Sequence, residues 1–257
     1  MNDVRLEFFE NPAPAAVDEA DYIRLLGFPR RFELEGRSRE LADLARQWFT
    51  DHARPWIYAR SASELEVNGK GIRIERATFS PARLRAQMHA SGANQAVLVA
   101  VSAGAEPEQE AAIRWMDEKP DEYFFLEIYA SAVVESLIAR VSGRICAWAD
   151  QEGMSALPHF SPGYSGWAVS EQPRLWRLLC QHGPRDLHER IQVLETGMLW
   201  PKKSQLAVIG LTRERERVEP GSTLVPCTSC SLPNCAFRRA PHRHFIRQIP
   251  GFSKTCA

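Results

Sequence analysis

The sequence predicts an α+β fold, a mainly antiparallel sheet with helices packed against it, followed by a cysteine-rich C-terminal extension. Three observations carry this prediction. Residues 96–101 (Ala-Val-Leu-Val-Ala-Val) and 206–210 (Leu-Ala-Val-Ile-Gly) are apolar without interruption, as strands covered on both faces are. Residues 56–60, 64–67 and 72–75 alternate apolar and polar side chains, with Asn68-Gly69 as a turn between the last two, which predicts a small antiparallel sheet. Leu126, Ala130, Val133, Val134, Leu137, Ile138, Val141, Ile145 and Trp148 recur at intervals of three and four, the spacing of a helix with one buried face.

The remaining elements follow in order. Residues 1–19, with Pro12, Pro14 and several alanines, read as a flexible lead-in. Residues 22–27 suit a short helix stopped by Gly27 and Pro29. Ser38 is placed to cap a helix reaching His52, with Leu41, Leu44, Ala45 and Trp48 on its inner face. Ser80-Pro81 offers an N-cap and a first-turn proline for a helix that ends at Ser91-Gly92, and the strand at 96–101 behind it is expected at the centre of the sheet. A short helix is predicted over 107–119, carrying Ala111, Ile113, Trp115 and Met116. The long periodic segment of roughly 25 residues is the main packing helix, ended by Gly153, with Glu135 and Arg140 outside its stripe. Cys146 and Cys180, on apolar helical stretches, read as small buried residues, and Trp167 and Trp176 as packing residues. The expected division is a lead-in over 1–19, an α+β domain over 20–220 and the extension over 221–257.

Composition limits the function. Lysine plus arginine number 32 and aspartate plus glutamate 32, so the chain as a whole has no pull toward nucleic acid or an anionic membrane. No apolar run is long enough for a membrane span, and the first residues lack the pattern of a secretory signal, so the expected location is cytoplasmic. Six cysteines, three of them between Cys227 and Cys235, suggest a metal site more than a disulfide framework. No phosphate-binding Gly-rich loop, nucleophile elbow or paired-carboxylate signature is present.

The most distinctive stretch runs from His159 to Gly210. It opens with His-Phe-Ser-Pro-Gly-Tyr-Ser-Gly-Trp, a composition suited to a tight loop against a ligand or a neighbouring segment. A helix starting at Gln172 follows, then Met198-Leu199-Trp200-Pro201-Lys202-Lys203-Ser204 before the last apolar run, which places the Lys-Lys-Ser turn at a sheet edge. This order resembles the reactivation domain of cobalamin-dependent methionine synthase, and more closely the free-standing proteins built like it. The resemblance covers roughly residues 20–212 and implies a curved sheet, a Pro-Gly-Tyr loop that meets S-adenosylmethionine, and a surface that presses on a corrinoid carried by another module. It therefore nominates His159, Ser161, Pro162, Gly163, Tyr164, Lys203 and Ser204 as cofactor-binding residues. One departure stands out, since the full-length enzyme has arginine four residues before the glycine and this chain has His159 there. A guanidinium grips a carboxylate bidentately and an imidazole does not.

Each residue also has a plainer reading. Tyr164 either lies against the ligand or fills the core of its own loop; His159 is a donor, a weak cobalt-side ligand or a hydrogen-bonded loop residue; the lysines either touch the corrinoid or are solvated. The Asp-x-His-x-x-Gly signature of a resident cobalamin module is missing, so cobalamin is expected from a partner, a corrinoid-carrying methyltransferase.

In the extension, Cys227-x-x-Cys230-x-x-x-x-Cys235 lies among Pro226, Pro233 and Asn234, so the thiolates sit on a loop and three can share one metal centre. Cys256, His242 or His244 is available as the fourth ligand, and Arg238, Arg239 and Arg243 would offset the clustered charge. An iron–sulfur cluster and a zinc site are both compatible with the spacing, and the reduction chemistry implied by the resemblance favours the cluster, which an electron donor protein would reduce.

Overall fold

The structure, a computed structural model, describes residues 5–29, 31–69 and 71–218. Its main sheet has five strands, all paired antiparallel, in the order β1 (Glu7–Glu10), β2 (Trp56–Ser61), β6 (Gln95–Ser102), β10 (Ser204–Thr212) and β7 (Ser155–Ala156). β6 is the middle strand, as its unbroken apolar sequence predicts. Val97, Val99 and Val101 point into one core, and Ala96, Leu98 and Ala100 into the other.

The first core lies under α1 (Glu19–Leu25), α2 (Gly36–His52) and α5 (Pro120–Gln151), and α4 (Glu106–Met116) packs along α5. The 32-residue α5 buries the stripe Leu126, Ala130, Val133, Leu137, Val141 and Ile145, and extends beyond the predicted segment because Pro120 is accommodated in its first turn. Glu135, outside the stripe, pairs with the buried Arg24 of α1 at 2.6 Å.

The second core lies on the opposite face, under α3 (Ala82–Ser91), α6 (Gln172–His182) and a small sheet of β3 (Leu65–Val67), β4 (Ile72–Ile74) and β5 (Ala77–Phe79). The molecule thus has helices on both faces of the sheet. After α6 come α7 (Leu187–Arg190) and the hairpin of β8 (Gln192–Val193) with β9 (Leu199–Trp200).

Several expectations are corrected. Residues 7–10, placed in the lead-in, form the edge strand β1, held by Glu10 pairing with Arg140 and Arg144 of α5 and by the Arg144 guanidinium 3.6 Å from the centre of the Phe8 ring. α2 starts at Gly36 with Glu35 as N-cap, so Ser38 lies inside the helix, and its buried face is Leu41, Ala42, Ala45 and Phe49, with Leu44 exposed. Pro81, not Ser80, takes the N-cap position of α3. Ile113, Trp115 and Met116 of α4 are exposed, because the buried side of that short helix carries Pro107, Ala111 and the aliphatic stem of Arg114. Cys146 and Cys180 are half-buried, and burial pushes the Cys180 thiol up to about 11. Strand β2 belongs to the main sheet, where β1 and β6 flank it, and β5 completes the small sheet in its place.

The β4–β5 turn contains Glu75 at φ 53°, a conformation disfavoured for a residue with a Cβ. It is held from beneath, because the Glu75 carboxylate is buried and accepts from Arg60 at 2.6 and 3.1 Å and from the Ser63 N–H at 3.0 Å. Burial alone would raise the Glu75 pKa, but the Arg60 hydrogen bonds, the Ser63 N–H and the Arg60 charge outweigh it and hold the carboxyl below its usual value. Among the described residues no helix is long and apolar enough to cross a membrane.

Candidate functional site

The loop after α5 is stapled to β10 by Phe160, whose N–H and carbonyl both bond Val208 at 2.9 Å. Ser161-Pro162-Gly163-Tyr164 then makes a tight turn, with the Tyr164 N–H donating to the Ser161 carbonyl at 3.1 Å. Proline second and a positive-φ glycine third are the residues of a type II turn, and Gly163 has φ 92°. The Gly163 N–H closes the loop onto the Trp167 carbonyl at 2.9 Å, and a Cβ added at Gly163 would meet nothing within 4 Å. Conformation, rather than space, calls for glycine there. Trp167 is buried, stacks on Phe160 and donates from Nε1 to Glu171 at 2.6 Å, so it packs the loop down as expected, and Trp176 is buried in the same core.

A hydrogen-bonded chain crosses the loop. Gln205 Nε2 donates to Ser161 Oγ at 2.8 Å and to the Tyr164 hydroxyl at 2.9 Å. That hydroxyl lies 3.3 Å from His159 Nε2, and His159 Nδ1 is 3.5 Å from Ser142 Oγ on α5. A neutral His159 that accepts at Nε2 and donates at Nδ1 fits these partners. His159 is buried and engaged within the protein, which is the plainest of its three sequence readings.

The turn between β9 and β10 forms the opposite wall. Lys203 is turned away, with Nζ 2.8 Å from Ser131 Oγ and 3.2 Å from Glu127 on α5. Lys202 Nζ reaches the other oxygen of Glu127 at 3.0 Å. Burial opposes the Lys202 charge, but the hydrogen bond to Glu127 together with the charges of Glu127 and Glu108 outweighs it, and its pKa is raised. Ser204 Oγ donates to Ser102 Oγ at 2.9 Å. β10 pairs with β6 along its length, whereas β7 covers only Leu211 and Thr212, so the Ser204 end lies at the sheet margin, as the sequence predicts.

Between the walls lies a cleft of about 180 Å³, bordered by Ser161, Pro162, Tyr164, Lys202, Ser204 and Leu206, with Gln172, Met198, Leu199 and Gln205 completing it. The structure therefore brings Ser161, Pro162, Tyr164 and Ser204 to one place, puts Gly163 on the exposed crest of the loop and buries His159, while Lys203 belongs to α5 and its neighbour Lys202 lines the cleft. Gln172 and Gln205 were not anticipated. Gln172 donates to the Gly197 carbonyl at 2.8 Å and so joins α6 to the β8–β9 hairpin. Gly197, with φ 83°, approaches so closely that a Cβ would stand 2.7 Å from the Val169 carbonyl oxygen. Gln205, a polar residue just ahead of an apolar run, is the one available sequence signal.

No family model matches the chain, and no curated protein matches it in sequence. Its architecture does find a counterpart. A crystal structure of the MetH reactivation domain bound to AdoHcy matches with a TM-score of 0.57, over 79% of this chain and 78% of that one, at 14% identity. The chain has the methionine synthase reactivation fold. The α+β arrangement with its curled antiparallel sheet is thus the one expected, and in this chain the Pro-Gly-Tyr loop and the Lys-Lys-Ser turn border one cleft.

The residues in place fit an S-adenosyl ligand poorly. The cleft falls below the roughly 300 Å³ at which small-molecule pockets begin. Among the described residues no guanidinium lines it, and the one cation there, Lys202, is already paired with Glu127. The expected metal ligands Cys227, Cys230, Cys235 and Cys256, with His242 and His244, lie outside the described residues. Among the described residues no group of histidine, cysteine or acidic side chains could hold a metal ion.

Proposed function

We propose that this chain is a stand-alone reactivation module for a corrinoid cofactor carried by a partner methyltransferase. The observation that supports it best is the cleft between the Pro-Gly-Tyr loop and the start of β10, beside which Met198 and Trp200 are 54% and 43% exposed on the β8–β9 hairpin. An apolar rim next to hydroxyl, amide and ammonium groups suits the edge of a corrinoid, whose ring is fringed by carboxamide side chains. The carrier would supply the cobalamin and this chain the surface that holds its edge. The reaction served would be one-electron reduction of cob(II)alamin to cob(I)alamin by a donor protein, and Cys227, Cys230, Cys235 and Cys256 would hold the iron–sulfur cluster that supplies the electron relay. That relay rests on the spacing of the cysteines.

No methyl-transfer step is assigned to the cleft, given its poor fit to S-adenosylmethionine. The related domain was crystallised with AdoHcy, and titrating this chain with AdoHcy tests the fit. Absence of binding is expected, and saturable binding lost on Tyr164→Ala would overturn the argument from size and charge.

The buried, fully engaged His159 favours a second reading, in which the chain binds a corrinoid carrier without turnover and the cysteines hold zinc. Calorimetry with a cobalamin-loaded carrier module tests the shared core of both readings. Binding should saturate at one to one and weaken in Gly163→Val, whose added side chain projects from the crest of the loop; equal affinity would exclude this loop as the docking surface. Visible absorption separates the two, since an iron–sulfur protein is coloured and bleaches on reduction whereas a zinc protein is colourless.

A further inference from the structure

The β4–β5 hairpin and α6 enclose a second cleft, of about 420 Å³, that plays no part in the site above. Among the described residues its charged lining is entirely cationic, with Arg76 from the turn of the hairpin and Arg174 and Arg177 from successive turns of α6; Ala77, Thr78, Leu178 and Gln181 complete it. Arg174 donates from Nη1 to the Thr78 carbonyl at 2.5 Å and stands 3.8 Å from Glu171. Among the described residues no carboxylate lies within ion-pairing distance of Arg76 or Arg177. Three guanidinium groups with one distant counter-charge, Glu171, between them repel one another, and a bound anion would relieve that repulsion.

The cleft is also fixed from beneath. Arg76 directly follows Glu75, whose positive φ sets the path of the turn. The buried Arg60 that holds Glu75 also donates from Nη2 to the Leu178 carbonyl at 2.5 Å. One buried cation therefore ties the hairpin turn to the middle of α6, across the floor of the cleft. Arg76 and Arg177 project, exposed, from a frame whose two sides are locked to each other. A neighbouring hollow of about 440 Å³ shares Arg76 and Gln181 and is lined further by Ser63, Glu64, Glu75 and His182. Both carboxylates of this hollow have partners, Glu64 accepting from Arg73 at 3.2 Å and Glu75 from Arg60, and hydroxyl, amide and imidazole groups make up the rest of its polar lining.

We propose that these two hollows form one binding site for a phosphorylated, hydroxyl-bearing small molecule. The phosphate would sit among Arg76, Arg174 and Arg177, whose planar forks match its oxygens, and the polyhydroxyl portion would lie against Gln181, Ser63 and His182. The site does not depend on the corrinoid reading. A nucleotide and a sugar phosphate share this chemistry, and the experiment separates them.

The test is calorimetric titration of the full chain, at low and at physiological salt, with inorganic pyrophosphate, ribose 5-phosphate and ADP. At least one of the three should bind at one to one. Arg76→Gln and Arg177→Gln should each weaken it by about tenfold, the double variant by more, and affinity should fall with salt. All three arginines are exposed, so these variants keep the fold, which thermal unfolding checks. Arg37→Gln, on α2 at the other face of the sheet, should change nothing. Tighter binding of ADP than of ribose 5-phosphate would identify a nucleotide, and the reverse a sugar phosphate. The proposal is overturned if none of the probes binds, if the double variant binds as wild type does, or if Arg37→Gln weakens binding as much as Arg177→Gln.

Discussion

Replacing Arg60 by methionine keeps most of the volume and removes the charge that holds Glu75. Both side chains are almost wholly buried, at 4% and 6% exposure, and Arg60 makes two hydrogen bonds to the carboxylate and one to Leu178. Loss of one partner of such a pair leaves an uncompensated buried charge, which costs about 3–5 kcal/mol. A domain of this size loses roughly 2–4 °C per kcal/mol, so the melting temperature should fall by roughly 6–20 °C. The pH dependence is the sharper signature. In the wild type the Glu75 pKa is depressed, so its stabilisation is complete above the unfolded carboxyl value of about 4.3 and is lost as pH falls through the lower folded value. In Arg60→Met, burial without a partner would raise the same pKa, so the variant should gain relative stability between neutral pH and about pH 5. Urea unfolding at several pH values measures both. The gap between the two proteins should narrow on acidification, and Arg60→Met/Glu75→Gln should recover most of the loss. A gap below about 1 kcal/mol at pH 7, or one that does not change with pH, would refute this account of the turn.

Other outcomes follow from the same geometry. Gly163→Ala should lower stability by about 1–2 kcal/mol, since its φ of 92° is unfavourable for any residue with a Cβ although the space is open, and chemical unfolding would show a larger loss if the space were filled. Tyr164→Phe removes the hydroxyl between His159 and Gln205 and should cost about 1–2 kcal/mol with the fold kept, and an unchanged unfolding midpoint would argue against that chain of bonds. Cys180, its thiol pushed up to about 11, should react with a disulfide reagent at pH 8 roughly two orders of magnitude more slowly than a free thiol, and a fast reaction would contradict its burial. The metal proposed for the cysteine cluster should be lost from Cys230→Ala protein purified without oxygen, whereas full retention by elemental analysis would remove the cluster from the mechanism.

What the sequence made legible was decided by side chains acting locally. The strand at 96–101 could be placed at the centre because only a strand with two dry faces tolerates six consecutive apolar residues, and β6 has cores on both sides. Ser-Pro-Gly-Tyr specified its turn because proline and a positive-φ glycine leave the backbone few alternatives. Long-range partners were not legible. β1 looked like lead-in because Arg140 and Arg144, which hold Glu10, are far away in sequence. Neither lysine carried a sign that it would pair with Glu127, or that Lys202 and not Lys203 would line the cleft, since their partners lie on a helix over 70 residues distant. The same holds for Glu75, whose turn conformation depends on Arg60 in another sheet.

This chain's proposed role is to serve a corrinoid held by another protein. The direct measurement is anaerobic, following the absorbance of cob(I)alamin as a carrier module loaded with cob(II)alamin is reduced by a low-potential electron donor, with and without the full chain. Reduction should be faster, and the final yield of cob(I)alamin greater, with the chain present, and Gly163→Val should weaken both effects. Identical rates and yields with and without the chain would contradict that role.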